Sequence, residues 1–424
     1  MKLSLKLFVP LLAWATGSFA AQENWSQFRG PNGDGRSAAQ GLPVEIGEER
    51  NVAWKVAVHG KAWSSPVVWG GQIWLTTATP DGRKLSVLCL DRWDGKVLRD
   101  QVLFEVENPQ FCHDFNSYAS PTPVIEEGRL YASFGSPGTA CIDTATGKVL
   151  WEKRDLVCNH FRGAGSSPVV EGDLLLMNFD GSDFQFVIAL DKRTGRQVWR
   201  TERSVDYKDL NASGKPTGEG DFRKAFGTPQ VAVAGGVKML LSSGAKAHYG
   251  YELATGRELW RFGHGNHSTS SRPLVAGGVG LFTSGYGKSQ LHAIKLESRG
   301  ELDDSALAWR VQRGVPIKPS LLMDGGLVFM LEDGGFAACV DGTNGEEIWR
   351  ERVAGACSAS PLLAGGRIYV CSEKGEVVVL AAAREFKKLS EAKMETGFLA
   401  SPAVAGKGLL LRSRTHLYCF EEKP

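Results

Sequence analysis

The feature that most constrains this chain is a proline that returns eight times. Pro66, Pro123, Pro168, Pro229, Pro273, Pro319, Pro361 and Pro402 each introduce a short apolar run that ends at a Gly-containing turn, with the pattern once shifted by a residue. Typical contexts are Ser64-Ser65-Pro66-Val67-Val68 and Ser360-Pro361-Leu362-Leu363. A recurrence of roughly 40–60 residues is the length of one supersecondary unit, which cannot bury its own apolar faces. The fold must therefore come from stacking the copies.

A second phrase closes each repeat. Ile142-Asp143-Thr144-Ala145-Thr146-Gly147-Lys148-Val149-Leu150-Trp151 recurs as Leu190-Asp191 through Thr194-Gly195 to Trp199, and as Val340-Asp341 through Asn344-Gly345 to Trp349. Thr255-Gly256 with Trp260 is another copy, Leu90-Asp91 with Asp94-Gly95 lacks the Trp, and Trp309 sits in a degenerate one. The Gly supplies the left-handed position of a tight hairpin, and the Asp is placed to hold the turn backbone. The Trp falls on the following strand, where a large flat ring fills the gap between neighbouring sheets.

These phrases resemble the repeat of the pyrroloquinoline-quinone (PQQ) type β-propellers. That superfamily includes quinoprotein alcohol dehydrogenases and BamB-like outer-membrane assembly proteins. The resemblance covers about residues 52–424. Trp25-Ser26-Gln27-Phe28-Arg29-Gly30-Pro31 and Cys112-His113-Asp114-Phe115-Asn116 look like a secreted bacterial branch of PQQ-like propeller proteins. The resemblance carries over no catalytic residue.

Read as strands, each repeat gives four. In the second they fall near 122–126, 129–134, 139–143 and 148–154. The eighth has only three, near 402–405, 408–412 and 416–421, before the chain ends. Its missing outer strand is expected from Asn51-Val52-Ala53-Trp54-Lys55-Val56-Ala57-Val58, which resembles Glu347-Ile348-Trp349-Arg350-Glu351-Arg352 yet precedes the first repeat. An open sheet edge invites aggregation, and pairing this strand into the last blade removes it. The expected fold is all-β: an eight-bladed β-propeller of four-stranded antiparallel blades over 52–424, closed by an N-terminal strand. Residues 21–51 read as an extended segment laid over the ring with Trp25 and Phe28 as anchors. Gly30-Pro31-Asn32-Gly33-Asp34-Gly35 lacks the Lys-Ser or Lys-Thr and the βαβ setting of a phosphate loop.

Residues 1–20 read as a secretory signal. Lys2 and Lys6 charge its start, Leu7 to Ala15 form an apolar stretch too short to span a bilayer, and Ser18-Phe19-Ala20 is a small-x-small cleavage site. Cleavage after Ala20 predicts a periplasmic or secreted protein without a membrane anchor. With 49 basic and 47 acidic residues the formal charge is +2, which gives no case for nucleic acid. A monomer is expected.

Of eight cysteines, Cys89, Cys141, Cys339 and Cys419 occupy the same strand position in four repeats and read as buried filler. Cys112 and Cys158 lie 11 and 10 residues before Pro123 and Pro168, in equivalent crossovers of consecutive blades. In an oxidising compartment they are the expected disulfide. Cys357 with Cys371 is the weaker pairing, because Cys371 faces Ser360 across the Gly365-Gly366 turn.

The short Gly turns lie on one side of the ring and the longer loops on the other, including insertions at 105–118 and 203–225. Length variation on one side marks a binding face. His59, His113, His160, His248, His264, His267 and His416 fall on that side. The expected ligand contacts are His113, Asp114, His160, Arg162, His267 and Lys318. Three functions fit. The first is a non-catalytic scaffold that binds a protein partner or small ligand on the long-loop face, with no catalytic residue, metal or cofactor. The second is a dehydrogenase using PQQ and calcium. Against it, the adjacent Cys-Cys pair of those enzymes, a calcium-ligand set and a Cys-x-x-Cys-His haem motif are not found in the sequence. The third is a propeller that binds or degrades a polysaccharide.

Overall fold

The computed structural model describes residues 24–423. The secretory signal read at 1–20, with its cleavage after Ala20, lies outside the described residues.

Eight sheets of four core strands stand around a common axis. In blade 2 the strands are Val124–Glu126, Arg129–Ser133, Thr139–Asp143 and Val149–Lys153, within two residues of expectation. The apolar clusters lie between blades, because each sheet is covered on both faces. One joins Tyr131 and Cys141 of blade 2 to Leu175, Met177, Phe186 and Ile188 of blade 3. Cys89, Cys141, Cys339 and Cys419 are all buried in such clusters.

The ring closes as the sequence implied. Val52–Ala57 pairs antiparallel with His416–Phe420, with Lys55 opposite Tyr418, and completes blade 8. Closure is double, because Trp54 of that strand also reaches blade 1. Its Nε1 donates to the Arg92 carbonyl at 3.2 Å. Four of the five repeated Trp residues do the same; of the five, only Trp260 Nε1 lacks a hydrogen-bond partner among the described residues. Trp151 Nε1 donates to Lys192 O at 2.9 Å, Trp199 to Leu253 O at 3.0 Å, Trp309 to Gly342 O at 3.1 Å and Trp349 to Ala383 O at 3.1 Å. Each indole staples its blade to the last turn of the next one. A Cβ at Gly195 would stand 2.6 Å from the Trp151 ring, so this turn needs glycine for closeness as well as for its φ of +71°. Between blades 1 and 2, where the Trp is missing, Arg99 takes its place over Gly147 and donates to Ala145 O at 3.3 Å.

The residue beside each repeated proline builds a second ring that sequence reasoning missed. Around the axis each backbone N–H donates to the hydroxyl of the next blade. The chain runs from Arg272 to Ser320, Ser360, Ser401, Ser65, Thr122, Ser167 and Thr228, every link 2.9–3.0 Å. The signal was present as the Ser or Thr next to the proline. Ser360→Ala should strand the buried Ser320 N–H, at a cost of about 1–3 kcal/mol. A lowered urea midpoint with unchanged slope would show it; an unchanged midpoint would mean the belt adds nothing.

Arg272 breaks the pattern and shows where the N-terminal segment goes. Residues 24–37 do not lie over the ring but cross its axial channel. Trp25 is buried and bridges to Val68 of blade 1, and Ile125 N of blade 2 donates to Ser26 O at 2.8 Å. Gln230 of blade 4 donates to Asn32 O at 3.0 Å. Arg272 of blade 5 donates to Phe28 O at 2.6 Å and Gln27 Oε1 at 3.1 Å. Arg29 donates to Leu321 O and, at 3.3 Å, to Pro361 O. Arg36–Ser37 then pairs in parallel with the innermost strand of blade 7. The segment is a plug, held by two buried guanidiniums on backbone carbonyls. Its Gly-rich loop serves close approach: a Cβ at Gly33 would fall 2.2 Å from the Arg272 guanidinium carbon.

Candidate functional site

The plug blocks the channel below and leaves a cavity of about 530 Å³ that opens on the long-loop face. Phe28 lines it from the plug, and the belt hydroxyls of Ser65, Thr122, Ser167, Thr228, Ser360 and Ser401 line it from the blades. Each belt oxygen already accepts an N–H, so its own proton remains to be donated. Trp63, Phe115, Phe226 and Tyr286 add aromatic surface.

Four of the six expected contacts meet here: His113, Arg162, His267 and Lys318. The other two do not. Asp114 stands outside the lining, where its carbonyl accepts from Lys61 Nζ at 2.6 Å. His160 is buried below the crossover, accepting the Ser136 N–H on Nε2 at 3.0 Å and packing on Phe179. Burial pushes its imidazole down to about 4, so it is a neutral core residue. Burial also lowers His248 and His264. His248 and His264 turn inward and cluster with His292, with His248 Nε2 3.2 Å from His292 Nδ1.

The disulfide between Cys112 and Cys158 is not formed, and both thiols are free. The two crossovers are neighbours, but their side chains diverge. Cys158 points into the core between blades, toward Phe184 O at 3.6 Å. Cys112 stays at the surface loop, 3.8 Å from Arg162 O. Cys357 and Cys371 are likewise free.

The 203–225 insertion supplies two lining residues that sequence reasoning overlooked, Asp221 and Lys224. Lys224 Nζ donates to Asp221 O at 2.7 Å and also contacts its carboxylate. Arg162 meets that carboxylate from the other side at 3.4 Å and 3.5 Å. Burial and the neighbouring Arg162 pull the Lys224 ammonium down to about 8 despite the Asp221 contact. Burial, then Lys224, Lys246 and Arg162, pushes His267 down to about 4. This wall is therefore short of negative charge. On the opposite wall Lys318 lies 3.4 Å from Asp333 and 3.3 Å from Glu373, and 4.4 Å from the centre of the Phe115 ring.

Backbone strain marks the same wall. Phe161, Lys246 and Ser268 hold φ values of 62°, 68° and 55°, beside Arg162 and His267. Left-handed conformations at non-glycine residues cost energy and gather at binding sites. Among the described residues, no group of three or more His, Cys, Asp or Glu side chains could hold a metal ion.

A plugged eight-bladed propeller with a polar, aromatic-lined axial cavity defines the class of protein. A family model described as outer membrane protein assembly factor BamB matches residues 47–221 and 183–423, and the chain belongs to that PQQ-repeat family. The dehydrogenase subunit of the quinone alcohol dehydrogenase from Acetobacter aceti is 26% identical over 159 residues, covering 35% of this chain and 20% of that protein. The corresponding subunit from Komagataeibacter europaeus is 28% identical over 156 residues, with the same coverage. The match thus spans about a fifth of these relatives' length. Among solved structures, a europium-containing methanol dehydrogenase aligns with a TM-score of 0.68 at 11% identity, over 94% of this chain and 98% of that one. BamB from Moraxella catarrhalis aligns with a TM-score of 0.57 at 13% identity, over 86% and 98%. At such identities the likeness is one of fold.

Proposed function

We propose that this protein is a non-catalytic binding propeller whose axial cavity receives an anionic group carried by a small ligand or by a partner protein. The observation that carries the reading is the polar part of the lining, where the belt hydroxyls, Arg162, Lys224 and Lys318 can donate beside aromatic and aliphatic surface, with Asp221 as the lining carboxylate. Buried donors of this kind fix the orientation of an acceptor ligand.

The calcium-held quinone of the dehydrogenase reading suits this lining poorly. Calcium takes six to eight oxygen ligands, several of them carboxylates. Here the lining carboxylate is Asp221, and two cations already face it. The family description also supports a place outside the cytoplasm, as the N-terminal signal suggested. Among the described residues no helix is long and apolar enough to cross a membrane.

Calorimetric titration of the purified protein with 1-naphthoate, an aromatic carboxylate of the right size, tests the reading. Binding should be saturable and should weaken about tenfold or more in Arg162→Gln and in Lys318→Met, which remove charges from the lining. Absence of saturable binding would refute the anion-receiving cavity. Dye reduction with PQQ, Ca²⁺ and an alcohol is expected to stay at background; turnover lost in the same variants would favour the dehydrogenase.

A further inference from the structure

The cationic wall of the cavity already holds one carboxylate, and that carboxylate comes from a loop rather than from the blades. We propose that Asp221 is a built-in counter-ion standing in for a ligand's oxyanion, and that an incoming oxyanion takes its place between Arg162, Lys224 and His267. The inference rests on the anion-receiving cavity above and adds the position of the charged group and what it must displace.

Three observations carry it. The first is the quality of the pairing. Elsewhere in the molecule Arg203 grips Asp180 in a buried fork at 2.9 Å and 2.7 Å. Arg162 meets Asp221 at 3.4 Å and 3.5 Å, too long for a good charge-assisted bond. The guanidinium is thus turned toward a pair of oxygens that it does not fully engage. Lys224 and Arg162 also share the ring of Phe161, at 5.4 Å and 5.5 Å, which holds the two cations side by side.

The second is how Asp221 is mounted. It sits in the short turn Thr217–Arg223, where Gly218, Glu219 and Gly220 take left-handed φ values of 57°, 57° and 82° in succession. Below that turn the insertion is clipped to itself. Arg223 binds both Asp209 oxygens, and Thr217 N donates to Asp209 O at 2.7 Å. Both ends of the turn are thus tied to Asp209, so any displacement of Asp221 falls within residues 218–222. Glu219, a non-glycine residue at a left-handed position, makes this conformation of the turn a strained one.

The third is charge. Arg162, Lys224 and Lys246 bear on His267, which is held neutral, and the carboxylate on this wall is Asp221. With Asp221 swung away, the wall carries uncompensated positive charge in a partly desolvated cavity, where an oxyanion is strongly held. Phe222, edge-on to His267 at 5.2 Å, would leave the wall with its neighbour.

Sulfate, phosphate and carboxylate share the required chemistry, so the probes are inorganic sulfate, inorganic phosphate and acetate, titrated separately into the whole mature protein. Asp221→Asn should bind the preferred anion about tenfold more tightly than the wild type, because the internal competitor has lost its charge. Asp221→Asn combined with Lys224→Gln should lose that gain. Phe222→Trp in an otherwise wild-type chain gives an independent signal, with indole emission shifting as the anion saturates. The ranking of the probes tells a tetrahedral oxyanion from a carboxylate. Equal affinity in wild type and Asp221→Asn, or an emission that does not change at saturation, would overturn the displacement while leaving the cavity reading standing. Failure of all three anions to bind any variant, with naphthoate also silent, would remove both.

Discussion

A chain that lacks residues 24–58 is expected to aggregate. The deletion removes Val52–Ala57, so the backbone groups of His416–Phe420 are left as an exposed apolar edge next to Gly408–Arg412. Such an edge is a template for pairing with another copy. The deletion also removes the Trp54 staple between blades 8 and 1, and the plug that ties blades 1, 2, 4, 5, 6 and 7 together across the axis. Arg272 would then face an open channel with its guanidinium partners gone. Size-exclusion chromatography after expression decides the matter. A soluble monomer with wild-type melting would show that the N-terminal segment is decoration.

Acidification should unfold the protein well before its surface carboxylates are neutralised. Burial pushes His160 and His292 down to about 4 and His264 down to about 3, and it lowers His248 as well, with His264 and His292 beside it adding to the effect. An unfolded histidine titrates near 6.5. Between pH 6.5 and 4 the unfolded chain therefore takes up protons that the folded chain refuses, and stability falls as the pH falls. Each such histidine contributes about 1.4 kcal/mol per pH unit in that window, so several together remove a large part of a typical folding free energy. Urea unfolding at pH 7 and pH 5 measures the loss. His264→Asn should reduce the slope by about one histidine's share. Equal stability at the two pH values would mean that the cluster is solvated.

The repeat was legible because its information is local. Proline, Gly turn, Asp and Trp recur at nearly constant spacing, so blade count, strand positions and the closing strand could be read from residues close together in the chain. The same spacing placed a Ser or Thr beside nearly every proline, and the hydrogen-bonded belt follows from that repetition once the blades are set in a ring. Sequence likewise marked the long-loop face and four lining residues, His113, Arg162, His267 and Lys318, because loop length and polarity are written in the chain.

What the sequence left open are contacts without a period. Arg29 meets Leu321, 292 positions away, and Gln230 meets Asn32, 198 positions away. No spacing rule foretells that a Gly-rich N-terminal segment enters the channel instead of lying over it. Asp221 and Lys224 became lining residues only when the insertion folded against Arg162 and His267, and five of the seven loop-side histidines, all but His113 and His267, proved not to line the cavity. Cys112 and Cys158 held matching places in consecutive crossovers, yet side-chain direction, set by what each crossover packs against, kept them apart. The chain alone determined an eight-bladed ring and the face that carries its long loops. Tertiary packing decided what fills the axis and which charges meet there, because both depend on loops that follow no repeat.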